Sequence, residues 1–222
     1  MYLEYFGLDK LPFTISPDPD FLYPSPGHQE ALAHLSYALT DQGGLICLTG
    51  EVGTGKTTLC RALMASIPEG DHVAYIFNPQ LSPVELMQSI CDDLGIAYEK
   101  SASLKEVYAS INEALVRFYG KHQRVICVID EAQSMPVALL EQVRLLTNLE
   151  TDREKLLTLV LVGQPELRDL LKRHDLRQLN QRITARYHLE LLSLAETSEY
   201  VEHRLVCAGG DQMLFDPAAI EA

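Results

Sequence analysis

Gly50-Glu51-Val52-Gly53-Thr54-Gly55-Lys56-Thr57 is a complete phosphate-binding loop of the form G-x-x-x-x-G-K-[ST], and its surroundings decide the fold. Before it, the apolar run Leu45-Ile46-Cys47-Leu48 reads as a buried strand. After it, Thr57 to Met64 reads as a helix with Leu59, Leu63 and Ile67 along one side. Strand, glycine turn and helix in that order is the context in which this loop grips a nucleoside triphosphate. Gly50, Gly53 and Gly55 are expected to take backbone conformations closed to residues with side chains, turning successive N–H groups inward around the phosphates. The helix starting near Lys56 brings its positive end to the same place. The predicted cradle runs from Gly50 to Thr58 and includes Glu51, Val52 and Thr54. Lys56 is placed to reach the β- and γ-phosphates and the Thr57 hydroxyl to ligate Mg²⁺, while Thr58 packs or caps within the first helical turn.

Residues 124 to 133, Arg-Val-Ile-Cys-Val-Ile-Asp-Glu-Ala-Gln, form a second apolar strand that ends in adjacent carboxylates. Such an unbroken apolar run is what a strand covered on both faces looks like. At its carboxyl end Asp130 is placed to hold Mg²⁺ through water, as a Walker B aspartate does. Glu131 is then the candidate general base that polarises the attacking water, and the pair favours ATP hydrolysis over phosphoryl transfer to a small molecule. A later strand ends at Gly163-Gln164-Pro165. Gln164 is the candidate sensor that touches the γ-phosphate or the water, with helix capping as the alternative.

Around these motifs the chain alternates strands and helices. Strands are read at 44–49, 73–77, 125–129 and 156–162. Helices are read at 28–40, 55–66, 83–94, 104–119 and 136–149, the third started by Ser82 as N-cap with Pro83 at its first position. Alternation of this kind predicts an α/β fold with a parallel sheet covered on both faces. Five prolines between Leu11 and Pro26 exclude a long helix there. That leading segment, rich in aromatic residues, is expected to lie on the domain. The organisation read is an extended segment at 1–27, a nucleotide-binding core at 28–191, and from 192 to 222 the beginning of a helical lid.

The 222 residues carry a net charge of −13, which argues against nucleic-acid binding by the bulk surface. ATP or ADP must therefore be held by local amides, Lys56 and Mg²⁺ against an adverse overall field. The five cysteines (Cys47, Cys60, Cys91, Cys127, Cys207) are scattered through apolar stretches without a C-x-x-C pair. They read as reduced core residues of a cytoplasmic protein. No apolar stretch approaches the roughly 18 residues of a membrane span.

Between 168 and 186 the local charge inverts, with Arg168, Lys172, Arg173, Arg177, Arg182 and Arg186 set against Asp169 and Asp175. One use of this cluster is an arginine finger offered to the nucleotide of a neighbouring subunit; another is contact with nucleic-acid phosphates. Arg182 is the first choice for the finger. Arg177 and Arg186 stay open, because the register between this helix and the next strand cannot be set from sequence.

The opening Tyr-Phe-Gly-Leu, the stretch Ser16-Pro17-Asp18-Pro19-Asp20-Phe21-Leu22-Tyr23, the phosphate loop, Ile129-Asp130-Glu131-Ala132-Gln133, Val162-Gly163-Gln164-Pro165-Glu166-Leu167 and Leu179-Asn180-Gln181-Arg182-Ile183 together resemble the ExeA/GspA-type AAA+ ATPases of Gram-negative bacteria. Related members serve MSHA pilus biogenesis, and transposition ATPases of the TniB type are more distant. The resemblance implies a P-loop NTPase of the AAA+ (ASCE) kind, a three-layer α/β/α domain on a five-stranded parallel sheet followed by a small helical lid. It implies a homo-oligomeric ring, driven by ATP, that works with an inner-membrane secretion or pilus-assembly partner from the cytoplasmic side, and that Phe13 to Tyr23 skirts the adenine. It further implies that the chain is a piece of a longer protein, in which the rest of the lid brings a second sensor arginine. In the secretion branch, a membrane span and a periplasmic module that contacts peptidoglycan follow. Regulatory handling of DNA, as in the transposition relatives, is the alternative function.

Overall fold

The computed structural model describes residues 2–14, 18–40, 44–77, 79–151, 154–211, 214–216 and 219–220. Five strands, β1 (Gly44–Gly50), β2 (His72–Ile76), β3 (Val125–Ile129), β4 (Thr158–Gly163) and β5 (Ile183–Leu189), form one parallel sheet in the order β2-β3-β4-β1-β5. The helices are α1 (Tyr2–Phe6), α2 (Pro26–Thr40), α3 (Lys56–Ala65), α4 (Pro83–Leu94), α5 (Leu104–Tyr119), α6 (Val137–Leu146), α7 (Pro165–Leu171), α8 (Arg177–Asn180) and α9 (Leu194–Cys207).

Period-two alternation sorts the strand residues into two cores. Ile46, Leu48, Ile126, Val128, Val160 and Val162 pack on α2 and α3 through Ala31, Leu35, Leu59 and Leu63. Their neighbours Leu45, Cys47, Cys127, Ile129, Leu159 and Leu161 pack on the opposite face, against α4 to α8. The result is a three-layer α/β/α fold. Every residue of β1, β3 and β4 is buried, which is why these three read as unbroken apolar runs. Fully burying one Leu, Ile or Val of such a run is worth about 1.5–3 kcal/mol, so these strands fix the central part of the sheet.

The edge strands are less apolar, and β5 alternates Ile183, Ala185, Tyr187 and Leu189 with Thr184, Arg186 and His188. The fourth strand starts at Thr158 instead of Leu156. The Leu156 N–H donates to Leu149 O, so this buried residue closes the preceding turn and does not join the ladder.

Three helices begin with the same reciprocal cap. In Ser82/Glu85, Ser103/Glu106 and Ser193/Glu196, the serine hydroxyl accepts from the N3 amide while the glutamate accepts from the N-cap amide. The third of these boxes launches α9, which reaches back to the leading segment. Leu8 and Phe21 pack against Leu205 and Ala208, and the Tyr23 hydroxyl donates to Glu199. That bond and burial push the Tyr23 phenol up to about 12. The end of the lid region read at 192–222 falls partly on 212, 213, 217, 218, 221 and 222, outside the described residues. Among the described residues no helix is long and apolar enough to cross a membrane.

Candidate nucleotide site

Parallel strands present all their carboxyl ends at one edge, and β1, β3 and β4 bring the three predicted motifs together there. They floor an open cleft of about 630 Å³ that is also lined by Phe21, Leu22, Tyr23, His28, Tyr200 and Arg204.

The phosphate loop is held by its own carbonyls. Thr54 donates its N–H (3.3 Å) and hydroxyl (2.9 Å) to Glu51 O. Gly53 and Gly55 sit at φ 85° and 84°, the left-handed region that the sequence predicts for them. Gly50 is different. It has no positive φ, and glycine is required there because a Cβ would stand 2.6 Å from Leu189 O of β5.

Lys56 is 8% exposed, and its ammonium donates to Gly50 O and Glu51 O at 2.7 Å each. Burial pulls its pKa below the ordinary lysine value, and the nearby Glu131, Asp130 and Glu51 act against that pull. The Thr57 hydroxyl donates to Asp130 Oδ2 at 2.8 Å, and the Glu131 N–H to Asp130 Oδ1 at 2.9 Å. Asp130 itself is 1% exposed. A hydroxyl and a carboxylate, both hard oxygen donors with room beside the loop, suit Mg²⁺, which takes one or two protein ligands and keeps its waters.

Glu131 is a non-glycine residue in the left-handed region (φ 54°, ψ 35°), where it turns the chain out of β3. Its Oε2 accepts from Gln133 Nε2 at 2.5 Å, with Gln164 Nε2 at 3.5 Å. Gln164 occupies the N-cap position of α7, yet its side chain makes no capping bond and points to Glu131 instead.

Arg182 lies away from this edge. It precedes Ile183, which pairs with Leu45 at the start of β1, six strand residues from the Leu189–Gly50 pair at the loop end. At about 3.3 Å per residue that is ~20 Å of sheet. Its guanidinium bonds Thr147 Oγ1 at 3.1 Å. The flanking basic residues are largely matched within the chain: Lys172 to Asp169, Arg173 to Asp175, and Arg186 to the backbone and side-chain oxygens of Asn180. Arg177 is exposed at the start of α8.

Four contributors escape the motif reading. The Tyr75 hydroxyl of β2 donates to Asp130 Oδ2 at 2.6 Å. His28 of α2 bonds Ser25 Oγ through Nδ1 (2.6 Å) and Thr54 O through Nε2 (2.9 Å), tying the leading segment to the loop. Burial holds its imidazole below the ordinary histidine value. Arg204 is 8% exposed and lies between the Phe21 and Tyr200 rings, at 4.7 and 5.6 Å, with Nε on Pro12 O. Gln133 stands in the Asp-Glu-Ala-Gln run that marks the strand end, but nothing in the spacing says where its side chain points.

A strand–loop–helix phosphate cradle with a carboxylate pair one strand beyond its neighbour, on a five-stranded parallel sheet, defines a P-loop nucleotide-binding protein. The chain belongs to the AAA domain family, whose model matches residues 39–171. It is 50% identical, over its whole length, to general secretion pathway protein A of Aeromonas hydrophila. It spans 40% of that relative's length. Among solved structures it is similar to the ORC2 protein of Aeropyrum pernix with ADPNP and ADP (TM-score 0.68, 18% identity, 93% of this chain and 57% of that one). A Walker-type ATPase of Pyrococcus abyssi is similar as well (TM-score 0.66, 18% identity, 95% and 65%). Cdc6p of Pyrobaculum aerophilum also shares the fold (TM-score 0.66, 19% identity, 87% and 54%).

Proposed function

We propose that this chain binds Mg²⁺ and ATP and hydrolyses the γ-phosphate bond, as the ATPase domain of an envelope secretion or pilus-assembly machine. In this reading it works as a homo-oligomer on the cytoplasmic face of the inner membrane. Any contact with peptidoglycan belongs to a region outside this chain. Its parts are a leading segment (1–27), the catalytic core (28–191) and the first helix of a lid (from 192). The observation that carries the proposal is the convergence of Lys56, Thr57, Asp130, Glu131 and Gln164 at one edge of the sheet, around a cleft with an aromatic wall. The 50% identity to general secretion pathway protein A supports the secretion reading. The internal pairing of the 168–186 cations supports it over DNA handling.

The chemistry follows from the residues. Lys56 exchanges two carbonyl partners for β- and γ-phosphate oxygens, and the amides from Val52 to Thr57 take the remaining charge. Thr57 and Asp130 would hold Mg²⁺, and the ion would supply positive charge against the phosphates. Glu131 accepts a proton from the attacking water through its second carboxylate oxygen, and Gln164 donates to the γ-phosphate or the water. Arg182, some 20 Å of sheet from its own cleft, serves the nucleotide of the next subunit, a role worth about 10³ to 10⁵ in rate in other NTPases.

Two variants of the complete protein test the assignment. Lys56→Ala should abolish Mg·ATP binding in calorimetric titration. Glu131→Gln should bind normally and lose at least two decades of turnover, the usual contribution of a general base. Nucleotide binding by Lys56→Ala at wild-type affinity would sink the cradle, and equal rates for Glu131→Gln and wild type would sink the base.

A further inference from the structure

We infer that Gln133 is the positioning residue for Glu131, and that it joins the base to the end of β4 so that both are set as one unit. The inference rests on the reading of Glu131 as base.

One side-chain amide makes two bonds in opposite directions. Gln133 Nε2 donates to Glu131 Oε2 at 2.5 Å, and Gln133 Oε1 accepts the Gln164 backbone N–H at 3.1 Å. The turn that carries Gln133 does not need either bond. It is closed by the Ser134 N–H and hydroxyl on Glu131 O (3.0 and 2.7 Å) and by the Met135 N–H on Ala132 O (3.2 Å). The side chain is therefore spent on the site and not on its own loop.

The space it fills is kept open on the far side. A Cβ at Gly163, the last residue of β4, would stand 2.7 Å from Gln133 Oε1 and 3.0 and 3.2 Å from Leu167 Cδ2 and Cβ. This glycine is needed for the room it leaves, since its φ is not positive. Glu131 gains the most from a tether, because its left-handed backbone is a conformation that persists only where surroundings over-determine it. With Oε2 held by Gln133 and close to Gln164, Oε1 takes no bond from the described residues and is left for water. The amide of Gln133 can neither accept nor release a proton at neutral pH, so it acts through Glu131 and Gln164 alone.

Gln133→Leu keeps the bulk and removes both bonds. Because bonds to charged groups are the stronger kind, turnover should fall about ten- to a hundredfold while Mg·ATP affinity stays within about threefold. On a Glu131→Gln background the same change should cost no further turnover, measured in single-turnover mode. Wild-type turnover in Gln133→Leu would overturn the inference, as would a full additional loss on the Glu131→Gln background. If instead Glu131→Gln alone turns over like wild type, the base assignment has failed. If Glu131→Gln falls while Gln133→Leu does not, only the tether has.

Discussion

Replacing Tyr75 with Phe removes one oxygen and leaves the ring in the core beside α3. That oxygen donates to Asp130 Oδ2 at 2.6 Å, and burial together with this bond holds the phenol above its ordinary pKa, so it is a donor throughout the neutral range. Asp130 is 1% exposed, so no bulk water takes over the vacated position. The carboxylate is not orphaned, because Thr57 still donates to Oδ2 and the Glu131 N–H to Oδ1. The cost is then that of one hydrogen bond to a charged acceptor, about 2 kcal/mol, with no cavity contribution. For a chain of this size that lowers Tm by roughly 4–8 °C. Circular dichroism melts of the nucleotide-free protein near neutral pH read the shift directly. On an Asp130→Asn background the effect should shrink by about half, since neutral acceptors bond about half as strongly. A Tm within about 1 °C of wild type, or an undiminished loss on the Asp130→Asn background, would refute the reasoning.

Gly50→Ala should lower stability by about 1–3 kcal/mol and weaken nucleotide binding, because the new Cβ meets a backbone oxygen of β5 that has no rotamer to escape into; an unchanged melt and affinity would mean that the edge strand yields freely. His28 should give stability an acid limb. Its folded pKa is depressed by burial from an ordinary value of 6.5, so above that pH the ring is neutral in both states and contributes no slope. As pH falls below it, the unfolded chain takes up a proton that the folded site refuses, and stability declines until the depressed value is passed. Urea melts over mildly acidic pH should show a shallower limb in His28→Gln, and an identical slope would remove His28 as its source.

Much of the molecule was legible because buried parallel strands advertise themselves. Leu45 to Leu48, Val125 to Ile129 and Leu159 to Val162 are apolar on both faces, and the glycines and carboxylates at their ends mark the edge where chemistry collects. The Ser-x-x-Glu caps at Ser82, Ser103 and Ser193 are equally local, since donor and acceptor lie within one helical turn. The edge strand β5 was harder to delimit. Its polar residues Thr184, Arg186 and His188 interrupt the apolar run, so its pattern resembles the surface it borders.

The sequence by itself determined the phosphate cradle, the identity of the acid pair and the parallel α/β plan, because each depends on residues close together in the chain. Only the tertiary structure decided that Tyr75 holds Asp130, that Ser25 and His28 brace Thr54, that Gln133 clasps Glu131 to Gln164, and that Arg182 stands at the far edge of the sheet. The bonds of Tyr75 to Asp130, His28 to Thr54 and Gln133 to Gln164 join residues 26 to 55 positions apart, and the place of Arg182 follows from strand order and register. Packing the two faces of the sheet sets them, and no local pattern of side chains encodes the direction in which an amide or a phenol will point.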